Sequence, residues 1–292
     1  MFKTFTSLTK FGIVIFVLLA GVAGYATSFQ IENPFDFKHF LYFLGGLYLL
    51  SSGSLALNQV QEYKLDQKMP RTSKRPIASG KLKPAAGLII AVLFLFLGIN
   101  MLHELNPTAG YVSVVSVLLY NGLYTMYLKP KWIFAAVPGA IPGALPVTIG
   151  YAVNNSDIFN SESVYLFLIM FLWQMPHFWT LAIKFIEDYR LGDVPTLPVS
   201  LGIEKTLFHV GLYTFTYCGV AVASPFFLHT SWFYAAAVFP FVFMLLKEFF
   251  RMYKTNAKEK WFSFFMWTNI SMLVFIFLPV IDKWSFLFLE RV

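Results

Sequence analysis

Apolar and polar positions along this chain alternate on the scale of whole segments, not single residues. A helix needs about 20 predominantly apolar residues to cross the hydrocarbon core of a bilayer. Nine windows are apolar over such a length: 12–28, 38–57, 85–103, 109–127, 133–152, 163–183, 207–227, 231–249 and 262–281. The polar stretches between them are mostly short and carry turn residues, as in "NPTAG" and "NNSD". The pattern predicts an all-α polytopic membrane protein of nine transmembrane helices, forming a single transmembrane domain over 1–292. The first window follows a polar, basic start, "MFKTFTSLTKFG", which is how a secretory signal begins. No clean small-residue cleavage site follows and many more apolar segments do, so 12–28 is read as a retained helix. No Arg- and Ser-rich transit peptide precedes it, which points to a bacterial plasma (inner) membrane rather than an organelle.

Composition agrees. The chain is 58% hydrophobic, 19% aromatic and only 13% charged, outside the range of soluble globular proteins. Its one cysteine, Cys218, excludes a disulfide framework and any multi-cysteine metal or Fe–S site. A net charge of +7 suggests nucleic acid until its distribution is counted. With the N-terminus placed in the cytoplasm and the loops alternating, 19 of the 22 lysines and arginines face the cytoplasm and 3 face the other side. The acids split 8 to 7, so the bias lies in Lys and Arg, as the positive-inside rule requires. The charge therefore reports membrane topology, with lipid and not nucleic acid as its partner, and the C-terminus falls on the opposite face.

Two cytoplasmic loops are long, 58–84 and 184–206, and function is expected at that face. In the first, Asn58, Glu62 and Asp66 are spaced i, i+4, i+8. On a helix continuing past the membrane surface they form one stripe about 12 Å long. Pro70 should end that helix near Met69, and Arg71, Lys74 and Arg75 follow at once. Hard oxygen donors suit Mg²⁺, which completes its shell with water and substrate phosphates, and the basic residues can hold the remaining phosphate oxygens. A solvated juxtamembrane helix with positive-inside lysines is the alternative, and spacing alone leaves both open.

The second loop closes "WQMPHFWTLAIKFIEDYRLGDVPTLP", where Lys184, Glu187, Asp188 and Asp193 gather. A second carboxylate cluster on the same face is what a two-metal diphosphate site needs; ordinary helix-end charge is the alternative. His177 lies about two turns inside the helix end among Trp173, Pro176, Phe178 and Trp179. A titratable group at that depth serves as a haem ligand, a proton acceptor or a hydrogen-bonded core histidine. "VPGAIPGALPVTIGY" (137–151) places Pro138, Pro142 and Pro146 among glycines and is expected to break its helix, either lining a chamber or allowing close packing.

"NQVQEYKLDQKMPRTSKRPIASGKL" resembles the NxxxDxxxDxxMxRTxxRPLxxGxL motif of the haem-farnesylating branch of the UbiA prenyltransferase superfamily. The resemblance extends through "YNGLYTMYLKPK", "PGALPVTIGYA" and the "PHFW…DY…VPTLP" block, over most of residues 8 to 202. It implies a nine-helix bundle around a central cavity, with Mg²⁺ and farnesyl diphosphate bound at the cytoplasmic end. The implied reaction joins farnesyl C1 to the 2-vinyl group of haem b, with water addition, to give haem O. A haem A synthase is the implied partner for that product. Asn58, Glu62 and Asp66 fall on the first metal-binding motif, and Asp188, with Glu187 beside it, on the second. Arg71 and Arg75 fall on the diphosphate-binding basic residues and Lys129 on the lysine of YTxxLK. Glu62 stands where aspartate is usual, Lys184 where relatives often carry an aspartate, and Asp193 where glycine is usual.

Two other classes are weighed against this. A quinone-pathway aromatic prenyltransferase shares the metal motif and differs in the acceptor. A transporter would place charge near the midplane along a through-pathway, whereas these acids gather at one face.

Overall fold

A computed structural model of the chain describes residues 2–228 and 231–285; His229 and Arg291 lie outside the described residues. Every regular element among the described residues is helical. In chain order these are α1 (Phe2–Leu8), α2 (Phe11–Ser28), α3 (Phe37–Lys68), α4 (Pro84–Leu105), α5 (Pro107–Val117) and α6 (Ala136–Asn154). Then come α7 (Ser161–Lys184), α8 (Ile186–Leu191), α9 (Leu197–Val222), α10 (Trp232–Lys254) and α11 (Trp261–Trp284). A π-helical segment, Leu118–Leu128, continues α5 without a break.

Each apolar window falls on one of these helices. Seven of them are long and apolar enough to cross a membrane: α2, α3, α4, α5 with its π-helical continuation, α6, α7 and α11. The other two windows fall on α9 and α10, which lie outside that count. Helix α3 has 32 residues, about 48 Å at 1.5 Å per residue against a hydrocarbon core of about 30 Å. Its last three turns, which carry Asn58, Glu62 and Asp66, therefore project beyond a bilayer that holds the rest. Asp36 caps its first turn, accepting from the Lys38 and His39 amides at 2.8 and 3.3 Å. Met69 caps its end immediately before Pro70, as the sequence predicts.

The expected break in the proline-rich helix is not found. α6 runs unbroken through Pro142 and Pro146. Pro146 has no N–H to give the Pro142 carbonyl; the Ser116 hydroxyl approaches that oxygen from α5 instead, at 3.5 Å. The glycines serve contact between helices. A Cβ on Gly24 would lie 1.9 Å from the Val147 carbonyl oxygen, and one on Gly150 would lie 1.9 Å from that of Gly21. α2 and α6 thus touch backbone to backbone, which is the packing alternative of the two.

The chain divides into two compact units, Met1–Ser156 with Glu187–Pro195, and Asp157–Ile186 with Thr196–Val292. The first holds α1 to α6, including the π-helical segment, and takes in α8 from Glu187 onward. Within it α3 packs along α4, and α2 along α6. In the second, α7 packs on α9 and α11, and α10 packs on α11. Tyr165 of α7 and Tyr234 of α10 share a buried hydroxyl–hydroxyl hydrogen bond of 2.6 Å.

Candidate active site

The first unit assembles its site on the emergent end of α3. Ser54, Asn58 and Glu62 project along one face of that helix, one turn apart. Asn121, Thr125 and Lys129 project in the same rhythm from the π-helical segment and its cap. The two series meet rung by rung. Ser54 Oγ donates to Asn121 Oδ1 at 2.6 Å, Asn58 Nδ2 to Thr125 Oγ1 at 3.3 Å, and Lys129 Nζ to Glu62 Oε1 at 2.5 Å. Gln61 closes the inner end by donating to the Asn121 carbonyl oxygen at 3.0 Å. Both helices therefore run the same way, and both deliver their polar ends to one place.

The loop after α3 turns back on itself. The Ser73 amide bonds the Met69 carbonyl oxygen at 2.9 Å, the Arg75 amide that of Thr72 at 2.9 Å, and the Thr72 hydroxyl that of Asp66 at 3.1 Å. This reversal carries Arg75 to Asp66, where one guanidinium nitrogen lies 2.8 Å from each carboxylate oxygen. The same turn presents the Arg71 amide to Asp188 Oδ2 at 3.2 Å, with the Arg71 side chain 3.8 Å from the same oxygen. Asp188 from the second long loop thus joins the first cluster; Lys74, in the loop after α3, is exposed.

A third cation arrives from the N-terminus. Lys10 Nζ donates to Asn58 Oδ1 at 2.9 Å. Asn58, Glu62 and Asp66 are 2%, 6% and 1% exposed, so each sits inside protein with a cation against its oxygen. Burial brings the Lys10 ammonium down to about 7; the Arg75 and Lys129 charges push the same way, and Glu62 and Asp66 oppose them. Lys129 moves the other way. Burial would lower it, but the Glu62 carboxylate outweighs burial and holds it above its ordinary value. Tyr120 and Tyr124 stack at 5.9 Å between ring centroids. Gly139 makes room for Tyr124, since a Cβ there would lie 2.5 Å from the ring.

The remaining residues expected from the sequence are spread more widely. Glu187 pairs with Arg190 at 2.6 Å in an exposed contact. Asp193, with φ of 53°, pairs with Lys68 at 3.0 Å, also exposed. Lys184 and His177 belong to the second unit. The Lys184 ammonium lies 5.0 Å over the Trp261 ring. His177 lies between Trp173 and Phe265, at 4.6 and 4.8 Å between centroids. Its Nδ1 is buried without a hydrogen-bond partner, as are Trp173 Nε1 and Thr180 Oγ1 on the same face of α7. Sequence reasoning did not single out Lys10, Asn121, Thr125, Tyr120 or Tyr124. The i, i+4 repeat of polar residues in "NGLYTMYLK", which ends on Lys129, was the available sign for Asn121 and Thr125.

The donor set fits magnesium. Asn58, Glu62 and Asp66 supply only oxygen, and their oxygens already face positive charge. Among the described residues no group of three or more His, Cys, Asp or Glu side chains is gathered. A metal on this stripe would therefore complete its shell from water and substrate oxygens, as Mg²⁺ does.

Comparison with known proteins adds a family match, two relatives and two solved structures. A family model described as "UbiA prenyltransferase family" matches residues 12–270. A protein of Bdellovibrio bacteriovorus named protoheme IX farnesyltransferase is 66% identical over 291 residues, covering 100% of both chains. One of the same name from Bacillus licheniformis is 37% identical over 207 residues, 70% of this chain and 67% of that one. Among solved structures, one described as a digeranylgeranylglyceryl phosphate synthase superposes with a TM-score of 0.78 at 17% identity, covering 96% and 98% of the two chains. A UbiA homologue from Archaeoglobus fulgidus, bound to DMAPP and Mg²⁺, gives 0.70 at 13% identity, covering 95% and 99%. At those identities the likeness is one of fold.

Proposed function

Because the chain belongs to the UbiA prenyltransferase family, we propose that it transfers the farnesyl group of farnesyl diphosphate to the 2-vinyl group of haem b, with water addition, giving haem O and diphosphate. One observation carries the diphosphate half: three buried oxygen-bearing side chains of α3, each matched by a cation from a different segment. The choice of haem as acceptor is supported by 66% identity over the full length to a relative named for that activity. The reading takes residues 1–292 as one catalytic domain, supported by a family match that runs through both units. It takes nine helices as crossing the bacterial inner membrane, N-terminus in the cytoplasm and C-terminus opposite, supported by the 19-to-3 partition of Lys and Arg.

Asn58, Glu62 and Asp66 would hold one Mg²⁺, and Asp188 with Glu187 a second; when bound, the metal supplies Lewis-acid neutralisation of the diphosphate. Arg71, Lys74, Arg75, Lys129 and Lys184 bind diphosphate oxygens, and their charge counts most as the C1–O bond ionises and the leaving group gains its electron pair. Apolar surroundings keep water from the allylic cation. The vinyl electron pair then forms the new C–C bond to C1, the neighbouring carbon becomes cationic, and water adds there with loss of a proton. His177 is assigned to the haem, as iron ligand or in orienting that water, which its unpartnered Nδ1 supports.

The test is direct. Purified protein incubated with haem b, farnesyl diphosphate and Mg²⁺ should yield a farnesylhydroxyethyl haem by mass spectrometry, and chelation of the metal should stop it. Absence of that product, with prenylation of 4-hydroxybenzoate in its place, would move the chain to the quinone branch. A His177→Ala protein with unchanged haem binding and turnover would remove the role given to His177.

A further inference from the structure

Among the described residues, Lys10 is the cation held against the α3 stripe that no carboxylate pairs with. Lys129 answers Glu62 and Arg75 answers Asp66, but the partner of Lys10 is a neutral amide oxygen. Arg75 and Lys129 stand close enough to repel it. With Lys10 protonated, three positive groups face two carboxylates in a largely buried place, and the surplus charge favours an anion.

The chain goes to some length to hold it there. α1 ends at Leu8, and Lys10 takes a left-handed backbone, φ 49° and ψ 52°, which residues with a Cβ adopt seldom. Such a conformation persists when its surroundings dictate it. Here they do. Gln59, the residue after Asn58, donates to both the Ser7 and the Leu8 carbonyl oxygens at 2.9 Å. Thr9 is fully buried, and its hydroxyl bonds the Phe5 carbonyl oxygen at 3.1 Å. Leu8 is enclosed with Ala56, Ile77 and Ala91. One turn of α3 thus fixes the end of α1 through Gln59 and receives the Lys10 ammonium through Asn58.

We propose that Lys10 is a substrate-binding residue, a third cation for the diphosphate of the prenyl donor, carried to the site by α1 as an arm that Gln59 locks. The proposal rests on the diphosphate reading given above. In the absence of substrate the ammonium rests on Asn58 Oδ1. With substrate it turns to a non-bridging diphosphate oxygen, which leaves the Asn58 oxygen free as a donor.

Binding of inorganic diphosphate in the presence of Mg²⁺, measured by calorimetry on the full chain in detergent, tests this apart from turnover. Loss of one charge-assisted hydrogen bond should weaken binding about ten- to a hundredfold in Lys10→Met. Lys10→Arg should recover most of it, and steady-state assays should show a raised KM for farnesyl diphosphate with that for haem b unchanged. Should Lys10→Met not fold, Lys10→Cys in a Cys218→Ala background, before and after aminoethylation of the thiol, supplies the same comparison. Arg75→Met separates the two levels of the argument. If it loses diphosphate while Lys10→Met binds as the parent does, the role of Lys10 is overturned and the site stands. If the parent protein itself binds no diphosphate, both fall.

Discussion

At the scale of single residues, Glu62 shows how one methylene decides a contact. Its carboxylate crosses from α3 to Lys129 at 2.5 Å while only 6% of its side chain is exposed. An aspartate at this place would draw the oxygens back toward α3 and away from the ammonium. Breaking a buried pair by removing one partner costs about 3–5 kcal/mol, because the other charge stays behind uncompensated. With Lys129 itself 20% exposed, the lower end applies. Lys129→Met is therefore expected to lower the thermal midpoint of metal-free protein by several degrees, and Mg²⁺ should restore more of it than in the parent, since a divalent ion can stand in for the ammonium. Scanning fluorimetry with and without the metal checks both halves, and an unmoved midpoint without metal would mean the pair contributes nothing. Asn58, Glu62, Asp66, Arg71 and Arg75 were legible in the sequence because one helix and its own loop position them all. Lys10 and Thr125 were not, because they reach Asn58 from 48 and 67 residues away, through a backbone reversal and a helix register that no local spacing encodes.

At the scale of elements, hydropathy located the long helices and missed what distinguishes them. The π-helical winding of Leu118–Leu128 leaves the apolar pattern unchanged, yet it is the segment that meets α3 rung by rung. α1 is too short to register as a window, and its value lies in where it ends. The proline-rich helix was misjudged for a physical reason: proline removes a donor, but whether the helix breaks depends on who satisfies the freed carbonyl. Ser116, on another helix, does so. The glycines of the same helix make a sharper test. Gly150→Ala would put a methyl group 1.9 Å from the Gly21 carbonyl oxygen, with backbone on both sides and no flexible side chain to yield. Overpacking of this kind costs about 1–3 kcal/mol or more. Gly219→Ala in α9 meets nothing within 4 Å. The first variant should lose folded yield and thermal stability, while the second should match or exceed the parent, since alanine is the better helix former. Equal behaviour of the two would mean that α2 and α6 do not approach as closely as described.

At the scale of the whole molecule, the strongest inference from the sequence is the side on which everything lies, and it rests on counting charges. The nine crossings proposed would put 19 of 22 basic residues on one face; adding or removing a single helix would scramble that partition. Seven helices meet the demand for a span by length and hydropathy, and α9 and α10 fall outside that count. For the proposed crossings of α9 and α10 the support is the charge partition, because helices of a polytopic protein that are shielded by neighbouring helices can be less apolar than a lone span while their flanking loops must still obey the Lys/Arg rule. The parallel course of α3 and the π-helical segment is a second, independent constraint. Both must end on the same face, and both carry site residues at that end. Accessibility from one side of the membrane tests the scheme. In a Cys218→Ala background, a single cysteine at Ser156, in an outer loop, should react with a membrane-impermeant maleimide in spheroplasts. One at Lys81, exposed in the long loop beside the site, should react only after permeabilisation. The reverse order would place the diphosphate site outside the cytoplasm, away from any pool of prenyl diphosphate made there. It would also leave the 19 basic residues on the face where the rule expects few.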